Sequence, residues 1–79
     1  MKVHRSAVKH EVLPEDAVHA ADLSLWIEPL EAERPRRELR LSFDTQPRLL
    51  EIVVLIFHSG PQMVIHAMPA RRPYWDLLK

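Results

Sequence analysis

The chain contains no cysteine, a single glycine and no long apolar run. Without cysteine it has no disulfide bonds, no thiolate zinc site and no cysteine nucleophile. One glycine, Gly60, cannot build a Gly-rich phosphate-binding loop, which excludes the nucleotide-binding folds that depend on one. The longest apolar run, Ile52 to Phe57, is far shorter than the roughly 20 residues of a membrane-spanning helix. No apolar signal-peptide segment follows the charged N-terminus, so we expect a cytoplasmic protein.

The chain also has no net charge, with 11 basic and 11 acidic residues, but the charges are segregated along it. Residues 1–10 carry three bases and no acid, and residues 11–33 carry seven acids and no base. Residues 34–79 carry eight bases against four acids, so the three segments have net charges of +3, −7 and +4. Such asymmetry predicts a surface for a polyanion, a charged partner, or both.

The length of 79 residues and the apolar share of 47% predict one small globular domain, residues 1–79. Pro14, followed by two acids, is typical of a helix start, and the apolar spacing predicts a helix to Trp26. Alternation and β-branched residues predict strands at 39–43, 49–57 and 63–68, after a charged loop at 28–37. The predicted fold is α+β: N-terminal helices, a three-stranded antiparallel meander and a short C-terminal helix near Pro73.

His66 lies on the third predicted strand, close in sequence to Arg71, Arg72 and Tyr74. A histidine or tyrosine can move the proton of a ribose 2′-OH, and arginine can hold a phosphate and stabilise its growing charge. These residues therefore predict a site for phosphodiester cleavage. The alternative is a half-buried strand histidine next to a solvated arginine pair.

The basic loop Arg34–Arg37, together with Arg40, is a second candidate, in which Arg36, Arg37 and Arg40 would bind nucleic acid. Arginines outnumber lysines by eight to three, which favours recognition of phosphate or carboxylate. The alternative is that these arginines neutralise neighbouring glutamates. Lys9 and His10 are weaker candidates for the same role near the N-terminus.

The five histidines show no His-x-His or His-x-x-x-His spacing, and no cysteine is present to complete a ligand set. We therefore predict no metal site and no cofactor.

The predicted strand at 49–57 is apolar on both faces, and two short helices do not cover both faces of a sheet. Aromatic and methionine side chains on and around this sheet are candidates for a contact surface with a second copy or a partner: Trp26, Phe57, Met63, Met68 and Trp75. The alternative is ordinary core packing.

Two groups of residues are similar to motifs of one protein family. The segments are Ser6–Val12 leading into Pro14–Ala20, and Val64–Ala67 followed by Arg71–Tyr74. In these segments the chain resembles the small toxins of bacterial type II toxin–antitoxin systems that have a RelE-like fold, in particular the BrnT group. That group has a glycine where this chain has Glu11, and an arginine where it has Met68.

The resemblance implies a metal-independent endoribonuclease that is held inactive by a cognate antitoxin protein. RNA would lie over the strands and the C-terminal segment, with Arg71 and Arg72 on the phosphate and His66 or Tyr74 transferring protons. Because Met68 replaces the arginine, the alternative is a non-catalytic, dimeric protein-interaction module of the same fold.

Overall fold

The computed structural model describes residues 1–8, 11–30, 36–44 and 48–78. Within these ranges no helix is long and apolar enough to cross a membrane. The elements follow in chain order: strand β1 (Lys2–Val3), a 3-10 helix (Arg5–Ala7), helix α1 (Pro14–Asp22), strands β2 (Trp26–Pro29), β3 (Arg36–Phe43), β4 (Leu49–Ile56) and β5 (Gln62–Pro69), helix α2 (Arg72–Trp75) and a second 3-10 helix (Asp76–Leu78).

The described strands form one five-stranded sheet in the order β1-β5-β4-β3-β2. Strands β2 to β5 pair antiparallel with their neighbours, and β1 pairs parallel with β5. The predicted three-stranded meander with N-terminal helices is therefore wrong, although β3, β4 and β5 lie where three strands were predicted. The sheet is wider because a short strand is added at each edge.

The predicted helix to Trp26 is also too long, because α1 ends at Asp22. Beyond it the Ser24 hydroxyl donates a hydrogen bond to the carbonyl of Ala21 (2.6 Å), which closes the last turn. The chain then enters the sheet, where Trp26 and Ile27 pair with Leu41 and Arg40 of β3. Aromatic and β-branched side chains favour this extended conformation, so Trp26 and Ile27 belong to an edge strand.

The two faces of the sheet pack against different parts of the chain. The first face is covered by α1, whose small Ala17, Ala20 and Ala21 let the helix lie close to Leu50 and Ile52 of β4. The second face is covered in part by the C-terminal segment, in a cluster that contains Leu39, Leu41, Leu49, Trp26, Ala70, Tyr74, Leu77 and Leu78. Strand β4 is apolar on both faces because alternate residues point into the two clusters.

The C-terminal segment leaves part of the second face open. Val53, Leu55, Met63 and His66 lie on this face and remain half-buried. The candidate site lies where the open part meets the C-terminal segment.

Candidate functional site

Glu51 is a carboxylate on the central strand β4 whose side chain is only 1% exposed. It lies opposite Leu41 on β3 and Met68 on β5, so its strand neighbours on both sides are apolar. Burying a carboxylate without partners costs several kcal/mol, about enough to unfold a small domain. The groups that form hydrogen bonds with Glu51 therefore offset the cost of burying its charge in the sheet.

His66 reaches Glu51 from the neighbouring strand. Strand β5 has a register irregularity opposite Val53 and Val54, which leaves His66 opposite Val53 and Met68 opposite Glu51. His66 is thus a diagonal neighbour of Glu51 on the same face, and its Nε2 lies 3.2 Å from Glu51 Oε1. When the carboxylate is ionised it only accepts hydrogen bonds, and the donor in this pair is then Nε2–H. The imidazole is 32% exposed, so the buried carboxylate holds a ring that solvent and ligands can reach.

Arg71 completes the cluster from the segment after β5. The Ala70 N–H donates to the carbonyl of Leu49 (2.8 Å), which fixes the chain against β4. The backbone N–H of Arg71 then donates to Glu51 Oε2 (3.3 Å), and its Nε donates to Oε1 (2.9 Å). Its guanidinium carbon lies 5.5 Å from the centroid of the Tyr74 ring, a cation–π contact.

Arg71 is held at its inner end and exposed at its outer end. Its side chain is 61% exposed. Within the described part of the chain, neither terminal nitrogen, Nη1 or Nη2, has a hydrogen-bond partner. Two parallel N–H donors on a fixed, charged group match the oxygens of a phosphate or carboxylate. The cluster therefore presents an oriented imidazole beside an oriented cation.

The other predicted residues of this site have different surroundings. Tyr74 is half-buried and packs against the second apolar cluster below Arg71. Arg72 is exposed and lines a groove of about 570 Å³ together with Ala70, Trp75 and Asp76. The structure thus brings His66, Arg71 and Tyr74 together and places Arg72 on an adjoining surface.

The three predicted nucleic-acid-binding arginines of β3 do not share one face of the sheet, since Arg37 lies on the face opposite Arg36 and Arg40. Arg40 is 8% exposed and donates to Glu38 Oε1 (2.9 Å), Gln62 Oε1 (3.3 Å) and the carbonyl of Ala21 (3.2 Å), on the face that α1 covers. Arg36 is exposed and lines a small groove beside Phe57.

Arg37 is half-buried opposite Leu55, on the same face as the Glu51 cluster. Lys9 and His10 lie outside the described residues. In the described part of the chain, no three His, Asp or Glu side chains are grouped as metal ligands would be.

Sequence reasoning did not select Glu51, the residue that joins the cluster. The signal was present, because Glu51 is the only charge in the apolar run from Leu49 to Phe57. A lone charge at a central strand position is informative since it needs a partner, and the partners are identified only by the strand register.

Comparison with known proteins gives no further guidance. The chain matches no family model, and no curated protein or solved structure matches it. The functional conclusion therefore depends on the chemistry of the site.

Proposed function

We propose that the protein is an endoribonuclease that cleaves RNA without a metal ion, with Arg71 as the phosphate ligand and His66 as a proton-transfer group. One observation supports this most strongly: a buried carboxylate, Glu51, bonds both His66 Nε2 and Arg71 Nε and leaves their outer parts exposed. Glu51 is a positioning residue in this proposal, because it fixes the two groups that meet the substrate.

The chemistry required is attack of a ribose 2′ oxygen on the adjacent phosphorus. The 2′ O–P bond forms, the P–O5′ bond breaks, the 2′ proton goes to a base and the 5′ oxygen receives a proton. In this proposal the imidazole of His66, which Glu51 orients, is the group that takes the 2′ proton. Tyr74 is the second proton-transfer candidate beside Arg71, whose guanidinium stabilises the charge that grows on the phosphate oxygens.

The distribution of charge on the sheet supports RNA as the substrate. Lys2 and Arg37 flank Leu55 and Met63 in the pairing across the open part of the second face. The acids of α1, Glu15, Asp16 and Asp22, lie on the opposite side of the sheet. A strand of RNA that crosses the second face would therefore meet a basic side chain, Lys2 or Arg37, at each end of its path.

The motif resemblance supports a role as the toxin of a type II toxin–antitoxin pair that acts in the cytoplasm. The two segments that carry the resemblance contact each other in the structure, since the Ser6 hydroxyl of the first donates a hydrogen bond to the carbonyl of Ile65 in the second (2.7 Å). Expression of the chain alone should then arrest growth, and the product of a neighbouring short reading frame should relieve the arrest as its antitoxin.

The direct test is cleavage of a labelled, unstructured single-stranded RNA by the purified protein in the presence of EDTA. We expect the wild type to cleave RNA and to leave the matching DNA, which lacks the 2′-OH, intact. Arg71→Ala should slow cleavage by about 100-fold, because it removes a charge that stabilises the transition state. His66→Ala should slow it by about 100-fold or more, because it removes the base.

Arg5→Ala is the matched control, since Arg5 is an exposed arginine of the first 3-10 helix. It should cleave RNA at the wild-type rate. Intact RNA after incubation with the wild type, or equal rates for wild type, Arg71→Ala and His66→Ala, would show that the ribonuclease proposal is wrong.

A second candidate function is a non-catalytic interaction module that forms a homodimer. The observation that favours it is a set of strongly exposed apolar side chains at the β2 edge, Leu23, Leu25 and Ile27. A protein that is dimeric in light scattering and leaves RNA intact would support this function in place of the first.

A further inference from the structure

Trp75 is an exposed aromatic side chain that is held in place next to the Arg71 site. Its Nε1 donates to the carbonyl of Ala70 (3.1 Å), the residue directly before Arg71. Its ring also makes an edge-to-face contact with Phe43, with the centroids 6.3 Å apart. Trp75 is nevertheless 45% exposed. A rigid indole with an exposed surface is a ready stacking platform, because little side-chain entropy is lost when a flat ligand binds to it.

The groove beside this ring has a mixed chemical character. It measures about 570 Å³ and is lined by Ala70, Arg72, Trp75 and Asp76. A cation and a carboxylate in the same groove suit a ligand with both acceptors and donors at its edge. The Asp76 carboxylate would repel a second phosphate, whereas the exposed indole of Trp75 favours a flat ligand.

We propose that this groove is a nucleobase subsite, in which a base of the RNA stacks on Trp75 while its phosphate lies at Arg71. The inference rests on the proposed ribonuclease function and adds the part of the substrate that is recognised. The connection of the two sites supports it, since Ala70 lines the groove and is covalently joined to Arg71. Stacking on an aromatic side chain is the usual way in which proteins hold the bases of single-stranded RNA.

The test uses an RNA of roughly eight nucleotides whose 2′-hydroxyls are methylated, so that it is bound but not cleaved. A second ligand has the same backbone without bases. We expect Trp75→Ala to weaken binding of the complete RNA by about tenfold and to leave binding of the abasic ligand unchanged. Trp75→Phe should keep most of the affinity, whereas Trp75→Leu, which is apolar without an aromatic face, should behave like Trp75→Ala.

A second measurement uses tryptophan fluorescence. The chain has two tryptophans, so in Trp26→Phe the emission comes from Trp75 alone. The complete RNA should quench this emission and the abasic ligand should not. Far-UV circular dichroism and thermal unfolding of every variant establish that the binding differences come from folded protein.

The outcomes separate the subsite from the ribonuclease. If the wild type cleaves unmodified RNA but Trp75→Ala binds both ligands with unchanged affinity, the subsite is wrong and the ribonuclease stands. If the complete RNA binds through Trp75 but unmodified RNA is never cleaved, the subsite stands and the ribonuclease is wrong. A dimer of the wild type that Trp75→Ala dissociates would assign the groove to a second copy of the chain and overturn the nucleobase subsite.

Discussion

Glu51 carries a charge into the middle of the sheet, where its side chain is 1% exposed between Leu41 and Met68. Desolvation of the carboxylate opposes its attraction to Arg71 and His66, and replacing such a buried ionic group by an apolar residue is often neutral or stabilising. We expect Glu51→Leu to unfold in urea with a free energy within about 1 kcal/mol of the wild type, or higher. RNA cleavage should fall by about 100-fold, because the imidazole and the guanidinium lose their common anchor.

Glu38 provides the matched control for Glu51. It pairs with Arg40, a cation that is itself 8% exposed, at 2.9 Å. Glu38→Leu should lower the free energy of unfolding by about 2 kcal/mol or more, because a buried charge loses its partner, and it should leave the cleavage rate of the folded protein unchanged. If Glu51→Leu lowers the free energy of unfolding as much as Glu38→Leu does, and its folded protein cleaves RNA at the wild-type rate, Glu51 has a structural role alone.

Only part of this site could be predicted from the sequence. His66, Arg71 and Tyr74 were selected together because they are near in sequence, and the structure places them in one cluster. Glu51 is 15 residues away from His66 and 20 from Arg71, so its role depends on strand register. Arg40 shows the opposite limit: its sequence position beside other arginines indicated a surface, but its pairing with Ile52 turns it toward α1.

At the scale of elements, the entry into α1 contains an unfavourable backbone position. Glu11 has a φ of 61°, in the left-handed region where a side chain costs about 1 kcal/mol, and its carbonyl accepts a bond from Arg48 Nη2 (3.2 Å). Glu11→Gly removes this cost but adds unfolded-state entropy. We expect a net gain of about 0.5 kcal/mol and a rise in Tm of about 2–4 °C, measured by thermal unfolding.

Glu11→Ala separates the backbone from the charge. It loses the same carboxylate as Glu11→Gly but keeps the Cβ atom, so it should show none of the gain in Tm. Equal Tm values for the two variants would mean that the charge, and not the φ angle, determines the stability of this turn.

The strand edges show why the element pattern was predicted only in part. Strands β3, β4 and β5 contain eight residues each, enough for alternation or a β-branched run to be recognised. β1 contains two residues and β2 four, too few for a period to be read. Both edge strands are defined by their pairing partners rather than by their own sequence, so the width of the sheet became clear only from the structure.

At the scale of the whole molecule, a net charge of zero is compatible with a group of basic residues on one side of the sheet and a group of acidic residues on the other. The acids of α1 lie on one side of the sheet, whereas Lys2, Arg37 and Arg71 lie along the other. The sheet separates these charges by the thickness of its packed layers, so each side interacts with ligands largely by itself at physiological salt. An uncharged protein can therefore bind a polyanion on one face.

The dependence of RNA binding on salt tests this separation. Each phosphate of a single strand that is neutralised contributes about −0.7 to the slope of log K against log salt concentration. Contacts at Lys2, Arg37 and Arg71 predict a slope of about −2 for the methylated RNA. Arg37→Gln and Arg71→Gln should each reduce its magnitude by about 0.7, because each removes one phosphate contact.

Glu15→Gln is the control on the acidic side, since Glu15 is an exposed residue in the first turn of α1. Glu15→Gln raises the net charge by one unit, and each arginine substitution lowers it by one unit. Because Glu15 makes no phosphate contact, Glu15→Gln should leave the slope unchanged. A slope near zero for the wild type would contradict phosphate binding on the second face. A slope that follows net charge alone, with changes of equal size and opposite sign for Glu15→Gln and Arg37→Gln, would show that RNA interacts with the whole molecule and not with one side of the sheet.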